Sequence, residues 1–157
     1  MDVHLREVRE EDLPAFFEHQ RDPKAVAMAA VPSRDREAFL HHWHRILGDG
    51  SVVARTVVVH GHLAGNVVSW VHDEARHLGY WLGREHWGKG VGTAAVAAFL
   101  EVERTRPLYG RVADTNPSST RILEKYGFRI VGRGRTPTGV VDVLMELPAT
   151  PRPGPDR

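Results

Sequence analysis

A glycine-rich turn between a strand-like run and an alanine-rich segment is the feature that most constrains this 157-residue chain. The sequence LGYWLGREHWGKGVGTAAVAAFL leads from a predicted strand, Leu78–Leu82, through glycines at 88, 90 and 92 into a predicted helix, Thr93–Arg104. Glycine lets the backbone approach a bulky anion, and the N–H groups and dipole of a helix start stabilise negative charge. The turn predicts a site for a phosphate or pyrophosphate group, and a tight turn without a ligand is the alternative.

Two nucleotide-binding motifs share this design, but neither matches. The dinucleotide fingerprint G-x-G-x-x-G fails because the three glycines are spaced by two and Thr93 follows them. The phosphate loop G-x-x-x-x-G-K-S/T matches from Gly83 to Lys89 and fails at Gly90, which has no hydroxyl to ligate magnesium. These failures weaken the hypothesis of a nucleotide-binding regulatory protein.

The pattern of apolar residues predicts one α/β (α+β) domain over residues 1–148, with the element order β-α-α-β-β-β-α-β-α-β-β. The predicted strands are Val3–Val8, Val52–Val59, Ala64–Val71, Leu78–Leu82, Leu108–Ala113, Phe128–Gly132 and Val140–Leu147. The predicted helices are Glu10–Gln20, Asp35–Leu47, Thr93–Arg104 and Pro117–Tyr126. The closely spaced strands between residues 52 and 82 favour an antiparallel meander, and the proline-rich residues 149–157 predict a flexible tail.

Composition excludes several classes of protein. The chain has no cysteine, which excludes disulfides, thiolate metal sites and thiol catalysis. The formal net charge of +1 argues against nucleic acid or an acidic membrane as a partner. The first residues are charged, and no stretch approaches the roughly 18 apolar residues of a membrane span, so we predict a cytoplasmic protein.

The histidine cluster His41-His42-Trp43-His44 suggests a metal site, because His41 and His44 share one face of a predicted helix. No carboxylate is placed as in H-E-x-x-H, and histidines beside an apolar helix stripe are usually solvated. We therefore predict no bound metal.

A second motif begins 24 residues after Gly92, where Asn116 follows a predicted strand and Gly127-Phe128 follows a predicted helix. Together the two motifs resemble those of the GNAT superfamily of acetyl-CoA-dependent N-acetyltransferases. The first resembles its pyrophosphate loop, Q/R-x-x-G-x-G/A, with glycines at 90 and 92. The second resembles its N-x-x-A/S-x(7)-G-F/Y segment, with Asn116, Ser119, Gly127 and Phe128 in place.

This resemblance implies a mixed, mostly antiparallel central sheet flanked by helices, and acetyl-CoA as co-substrate. In that family one strand splays from its neighbour, so that the pantetheine arm lies between them like an extra strand. Trp87 stands where Gln or Arg is usual, which is similar to the branch of ribosomal-protein N-terminal acetyltransferases. The resemblance assigns cofactor binding to Trp81, Leu82, Trp87, Gly88, Lys89, Gly90, Val91, Gly92, Thr93, Asn116 and Ser119.

Acetyl transfer to an amine needs a donor to the thioester oxygen and a donor near the leaving sulfur. By resemblance, the first donor is a backbone N–H of Leu78–Leu82. Leu123 stands where many relatives place a tyrosine as the second donor, and the resemblance assigns that task to the hydroxyl of Ser119. Asn116 immediately before Pro117 also fits an ordinary helix N-cap.

The amine must also be neutral to attack. His77, immediately before a predicted strand, is a candidate catalytic base, because an unperturbed histidine has a pKa of about 6.5. Glu74 and Glu85 are alternative bases. The alternative interpretation of His77 is a solvated histidine in a turn, without a catalytic role.

The sequence therefore predicts an N-acetyltransferase that moves an acetyl group directly from acetyl-CoA to a primary amine. The partner is either a small-molecule amine or a protein N-terminus, without nucleic acid or membrane, and the chain is a monomer or a homodimer. The alternative is a non-catalytic acyl-CoA-binding or sensor domain, which Leu123 favours. Trp43, Trp70 and Trp81 fit either an acceptor pocket or the core.

Overall fold

A 7-stranded sheet forms the centre of the computed structural model, which describes residues 2–30, 32–136 and 139–149. The strands are β1 (Val3–Glu7), β2 (Val53–Val59), β3 (His62–His72), β4 (Ala75–Leu82), β5 (Leu108–Ala113), β6 (Arg129–Arg135) and β7 (Val141–Leu147). They lie in the order β1-β2-β3-β4-β5-β7-β6. Every neighbouring pair is antiparallel except β4 and β5, which are parallel, and β2–β4 form the expected meander.

Helices cover both faces of the sheet. They are α1 (Leu13–Arg21), α2 (Pro23–Ala29), α3 (Arg36–Leu47), α4 (Val91–Val102) and α5 (Pro117–Lys125). The mixed, mostly antiparallel sheet flanked by helices confirms the predicted fold class. Among the described residues, no helix is both long and apolar enough to cross a membrane. The proposed tail from residue 150 onward lies outside the described residues.

Two apolar clusters hold the helices to the sheet. The larger lies under α4 and α5, and its fully enclosed side chains include Phe99, Val96 and Met145. The smaller lies under α1 and α3 on the opposite face, where the Phe16 and Trp43 rings pack with their centroids 4.9 Å apart. Trp43 therefore belongs to the core. Apolar clusters therefore cover both faces of the sheet.

The helix α2 is absent from the predicted element order, which placed only two helices between β1 and β2. Pro23 occupies its first turn, where a missing N–H costs nothing, and the Asp22 side chain accepts a 2.9 Å hydrogen bond from the Lys24 N–H. The Asp-Pro pair is therefore a helix start here. The same pair also marks turns, and a seven-residue helix gives little periodicity to detect.

The first predicted helix begins later than expected, because Glu10–Asp12 form a 3-10 turn and α1 starts at Leu13. The Asp12 carboxylate is buried and accepts hydrogen bonds from the Arg9 N–H, the Arg6 guanidinium and the Thr56 hydroxyl. These bonds fix the chain between β1 and α1, so Asp12 is a structural residue.

Candidate active site

The sheet opens between β4 and β5. The two strands pair only over Arg76–Leu78, which faces Leu108–Gly110. Beyond that point β4 continues against β3 as far as Leu82, while β5 continues against β7 as far as Ala113. Gly79–Leu82 therefore has a strand neighbour on one side only among the described residues, and a wedge-shaped opening separates the two parallel strands.

Backbone polar groups of β4 point into this opening. The Gly83 N–H donates to the Ala64 carbonyl at 2.9 Å, and Leu82 lies opposite Gly65 in the ladder. Because successive residues of an antiparallel strand direct their N–H and C=O groups to opposite sides, those of Tyr80 and Leu82 face away from β3. The opening thus presents hydrogen-bonding groups that a ligand can pair with as a strand would.

The glycine-rich turn lies at one end of the opening. Gly88 and Gly90 have φ angles of 69° and 82°, in the left-handed region that favours glycine. Gly90 is the N-cap of α4 and, as a glycine, makes no side-chain hydrogen bond to the first N–H groups of that helix. The Trp87 indole N–H donates to the Leu82 carbonyl at 3.1 Å and fixes the turn to the end of β4. This arrangement suits a bound anion.

One cleft of about 400 Å³ joins the turn to the opening in the sheet. Most residues predicted to bind the cofactor line it, namely Trp81, Leu82, Trp87, Gly88, Gly90, Val91, Gly92, Thr93, Asn116 and Ser119. Lys89 is exposed and is not among the lining residues. The structure therefore gathers residues from two distant motifs around one cavity.

Ser119 and Tyr80 form a hydroxyl pair inside this cleft, with their oxygens 2.7 Å apart. Burial raises the pKa of the Tyr80 phenol, and the hydrogen bond with Ser119 lowers it less. The phenol therefore keeps its proton throughout the neutral range. Leu123 is buried beneath β5 in the larger apolar cluster, with its Cδ1 atom 3.0 Å from the position of a Cβ atom built on Gly110. It is a core residue.

Asn116 caps α5, as the sequence allows. Its side-chain oxygen accepts a hydrogen bond from the Ser119 N–H at 3.3 Å, with Pro117 in the first turn of the helix. The cap orients the first turn of α5, on which Ser119 lies, toward the cleft.

Sequence reasoning did not identify the outer wall of the cleft. On α5 this wall comprises Ser118, Arg121, Ile122 and Lys125. Their spacing of three and four residues places them on one helix face, and this periodicity is the sequence signal from which the wall could have been predicted. Arg121 and Lys125 bring positive charge to the cleft. Other lining residues that were not predicted are Ala25, Met28, Ala29, Tyr80 and His86.

Gly92 has a different role from Gly90. A Cβ atom at Gly92 would lie 3.1 Å from Ile122 Cδ1 and 3.5 Å from Leu82 Cδ1. This glycine therefore lets α4 pack closely against α5 and β4. A side chain there would first disturb the packing of the helices, so Gly90 and Gly88 are the better probes of anion binding.

His77 does not line the cleft. It lies on the paired part of β4, with its ring stacked on Trp70 at a centroid distance of 6.2 Å and near Tyr109 at 5.6 Å. Burial, with smaller contributions from His72 and Arg111, lowers the pKa of His77 and keeps the ring neutral at pH 7. The structure thus separates the predicted base from the other predicted site residues.

The alternative bases also lie outside the cleft. Glu74 is exposed in the turn between β3 and β4. Glu85 lines a neighbouring cavity with Glu18, His19, Asp22 and Arg84. The Asp22 carboxylate there pairs with Arg84 at 3.0 Å.

The histidines of α3 do not assemble a metal site in the described part of the chain. His44 contacts the Glu10 carboxylate at 2.8 Å, and His41 is exposed. No group of three or more His, Cys, Asp or Glu side chains within residues 2–30, 32–136 and 139–149 is arranged to hold a metal ion.

Comparison with known proteins identifies the family. A profile described as acetyltransferase (GNAT) domain matches residues 2–129. The chain belongs to the GNAT family. This membership confirms the family expected from the two motifs, and a search of curated proteins finds no match to the chain.

Solved structures show the same fold at low sequence identity. The aminoglycoside acetyltransferase AAC(6')-Ib in complex with coenzyme A is 22% identical, with a TM-score of 0.74 over 93% of this chain and 95% of the other. Spermidine N-acetyltransferase from Vibrio cholerae, in complex with CoA and spermine, is 17% identical, with a TM-score of 0.77 over 92% and 95%. A GNAT-family acetyltransferase from Bacillus anthracis is 16% identical, with a TM-score of 0.77 over 92% and 93%. These structures do not support the expected likeness to ribosomal-protein N-terminal acetyltransferases.

Proposed function

We propose that this protein transfers an acetyl group directly from acetyl-CoA to a primary amine. The observation that carries the proposal is the single cleft that joins the glycine turn to the opening between β4 and β5. Membership of the GNAT family supports it, as do the structural neighbours solved with coenzyme A. The coenzyme supplies the acetyl group as a thioester. The amine nitrogen bonds to its carbonyl carbon, and the C–S bond of the tetrahedral adduct then breaks to release the thiolate of CoA.

The phosphate end of the coenzyme fits the start of α4. The left-handed turns at Gly88 and Gly90 expose backbone N–H groups where a Cβ-bearing residue would be strained. The first-turn N–H groups of α4 then donate to pyrophosphate oxygens, and the helix dipole favours the negative charge. Arg121 and Lys125 across the cleft add positive charge.

The extended arm of the coenzyme fits the open edge of β4. The N–H groups of Tyr80 and Leu82 and the Tyr80 carbonyl face the opening, whereas the Leu82 carbonyl is bonded to Trp87. One of the open-edge N–H groups donates to the thioester oxygen. A fixed backbone donor stabilises the negative charge that develops on that oxygen without needing to reorient during the reaction.

The hydroxyl pair of Ser119 and Tyr80 suits the departing sulfur of the coenzyme. Ser119 donates a hydrogen bond to the departing sulfur, while Tyr80 donates to the Ser119 oxygen at 2.7 Å. The raised pKa of Tyr80 keeps the donor protonated during this step. This arrangement replaces the donor that Leu123 cannot provide. His77 has no part in the proposal, because it lies outside the cleft.

The acceptor amine loses a proton to solvent. An α-amine with a pKa of about 8 is about one-tenth neutral at pH 7, so it needs little help from a base. A protein N-terminus is an acceptor of this kind. A small-molecule alkyl amine, whose pKa is closer to the value of about 10.4 for lysine, is neutral in less than about one part in a thousand at pH 7, so its acetylation should speed up as pH rises.

Thiol release from acetyl-CoA, measured with a panel of primary amines, tests the proposal, with calorimetric CoA binding measured alongside. We expect thiol release that depends on an added amine. CoA binding without amine-dependent thiol release would contradict catalysis and support a non-catalytic acyl-CoA-binding domain instead.

A further inference from the structure

The two ends of the cleft differ in chemistry and lie on opposite faces of the sheet. The end on the α4 and α5 face holds the glycine turn, Ser119, Arg121 and Lys125. On the other face lies Trp81, whose indole N–H donates at 3.0 Å to the His19 carbonyl of α1. Beside Trp81, the helix α2 contributes Ala25, Met28 and Ala29.

The attacking amine must approach the thioester from the side that the coenzyme leaves open. If the coenzyme enters from the start of α4, as the proposed function requires, the α2 end is the free side. The body of the acceptor then lies against α2 and Trp81. The inference below rests on that proposed function.

The α2 wall is apolar and fixed in place. Ala25 is only 3% exposed, and the Thr115 hydroxyl donates to the Met28 carbonyl at 2.7 Å, which ties α2 to the segment after β5. Trp70 does not line the cleft, and its indole ring lies over Gly79, where a Cβ atom would be 3.1 Å from it. Gly79 is the first residue of β4 beyond the paired stretch.

The cleft offers no counter-charge to a cation. Among the described residues that line it there is no Asp or Glu, while Arg121 and Lys125 are both present. The carboxylates of the neighbouring cavity, Glu18, Asp22 and Glu85, do not line the cleft. Asp22 there pairs with Arg84 at 3.0 Å, and Glu18 pairs with Arg21 at 3.4 Å. An additional ammonium group entering the cleft would lose its water without gaining a carboxylate partner.

We propose that the acceptor is a primary amine carried on an apolar body, and that α2 selects against acceptors with a second positive charge. This assignment differs from the ligands of two structural neighbours, a kanamycin complex and a spermine complex. Burying the apolar carbon of the acceptor is favourable, and burying an unpaired second ammonium group is unfavourable. Both effects therefore favour the acceptor with an apolar body and a single charge.

Hexylamine and 1,6-diaminohexane test this inference, because they share chain length and reacting group and differ in one distal ammonium. We expect kcat/KM for hexylamine to exceed that for the diamine by about tenfold or more. Equal values, or a preference for the diamine, would overturn the inference.

Two variants of α2 provide the matched control. Met28→Glu places a carboxylate on the cleft wall and should raise the relative kcat/KM for the diamine by about tenfold, since the distal ammonium gains a partner. Ala27→Glu adds the same charge to the same helix at an exposed position that does not line the cleft, and should leave the preference unchanged. An equal shift in both variants would overturn the role of the wall.

Binding separates this inference from the proposed function. If the CoA-loaded protein turns over neither amine, calorimetric Kd values for the same pair decide between the two ideas. Tighter binding of hexylamine would support the apolar wall even as the proposed catalysis fails. Equal binding of the two amines, or binding of neither, would contradict the proposed selection by the α2 wall. The proposed catalysis would still be judged by thiol release.

Discussion

The two halves of β4 serve different purposes within one strand. Ala75–Leu78 has strands on both sides where it pairs with β5, whereas Gly79–Leu82 has a strand on one side only among the described residues. The first half uses its backbone polar groups within the fold. The second half leaves alternate groups to a ligand. The contrast shows how a sheet gains a binding site by ending one pairing early while its other pairings hold the strand in place.

A buried carboxylate stabilises the first half of β4, Ala75–Leu78, which we call the closed half. The Glu103 carboxylate, at the end of α4, accepts hydrogen bonds from Arg76 Nε at 2.7 Å, from the Ser69 hydroxyl at 2.5 Å and from the Thr105 N–H at 3.1 Å. These bonds join α4 to β3 and β4. Burial would raise the pKa of Glu103, but the hydrogen bonds dominate and lower it to about 2.

The second half of β4, Gly79–Leu82, which we call the open half, has no buried ion pair of this kind among the described residues. On the α4 and α5 face the Tyr80 hydroxyl is bonded to Ser119 at 2.7 Å, and the Leu82 carbonyl accepts the Trp87 indole N–H at 3.1 Å. On the other face the Trp81 indole is bonded to α1. A ligand can therefore pair with the Tyr80 backbone and the Leu82 N–H without first breaking the Leu82 carbonyl's bond to Trp87.

The largest effect is expected for Gly90→Val at the start of α4. A branched side chain is strained at a φ of 82°, so the turn must rearrange and its N–H groups no longer point at one anion. We expect CoA affinity, measured by calorimetry, to fall by about 100-fold or more, an effect comparable to losing two charge-assisted hydrogen bonds.

Gly61→Val is the matched control, since Gly61 has a similar φ of 80° in the turn between β2 and β3 and has open space around it. Both variants should lose about 1–3 kcal/mol of stability through backbone strain. Only Gly90→Val should lose CoA binding. A folded Gly90→Val protein with unchanged CoA affinity would eliminate the anion site at α4.

The next effect concerns the closed half and pH. Because the folded pKa of Glu103 is about 2, below its ordinary value of 4.5, the carboxylate stabilises the fold fully above about pH 4.5. That stability is lost as pH falls through this window toward 2. The shift corresponds to about 3 kcal/mol, and Glu103→Gln should lower the free energy of unfolding at pH 7 by about this amount.

Denaturant unfolding between pH 7 and pH 2 measures this effect, with Glu101→Gln as the control. Glu101 lies on the same helix but is exposed, and its pair with Arg104 spans 3.6 Å at the surface. It should change stability by less than about 0.5 kcal/mol. If Glu103→Gln kept the wild-type slope of stability against pH below 4.5, Glu103 would not be what holds the closed half.

Ser119→Ala tests the open half. Loss of a donor to the departing sulfur should lower kcat by about 100-fold, because general acid help ranges from about 10² to 10⁴ and a thiolate leaves readily. CoA affinity should change little, since the interaction is strongest in the transition state. A wild-type kcat in this variant would show that Ser119 is an ordinary residue of the first helical turn and does not assist the departing sulfur.

Tyr80→Phe distinguishes a pair from a lone serine. If Tyr80 strengthens the Ser119 donor, its loss should lower kcat by about tenfold, less than the loss of Ser119 itself. The double variant should then be no slower than Ser119→Ala alone, because Tyr80 acts through Ser119. Additive losses would show that the two hydroxyls act separately.

Much of the fold was predictable, because its signals are local. Apolar periodicity indicated the strands, and glycine chemistry indicated the turn before α4, where Gly90 has the expected positive φ. The helix α2 was missed because the Asp22-Pro23 pair marks both turns and helix starts. The α2 wall of the cleft was missed for the same reason.

The site was less predictable, because its geometry depends on strand pairing. No local pattern states that β5 leaves β4 after Leu78 or that Tyr80 reaches Ser119, 39 residues away in the chain. His77 was chosen for its ordinary pKa and its place before a strand. Only two residues farther along, at Gly79, β4 is no longer paired with β5. Tertiary contacts alone determine where that pairing ends.

The smallest effect is therefore expected for His77→Gln. The ring packs on Trp70 over the closed half, and its lowered pKa leaves it uncharged at pH 7, so glutamine preserves both neutrality and polarity. We expect kcat/KM to change by less than about threefold. The acid limb of its pH profile should also be unchanged, because a titrating base would add a limb below pH 6.5 that disappears in the variant. Loss of such a limb, together with a large fall in kcat/KM, would show that the closed half of β4 takes part in catalysis, and the division between the two halves would no longer hold.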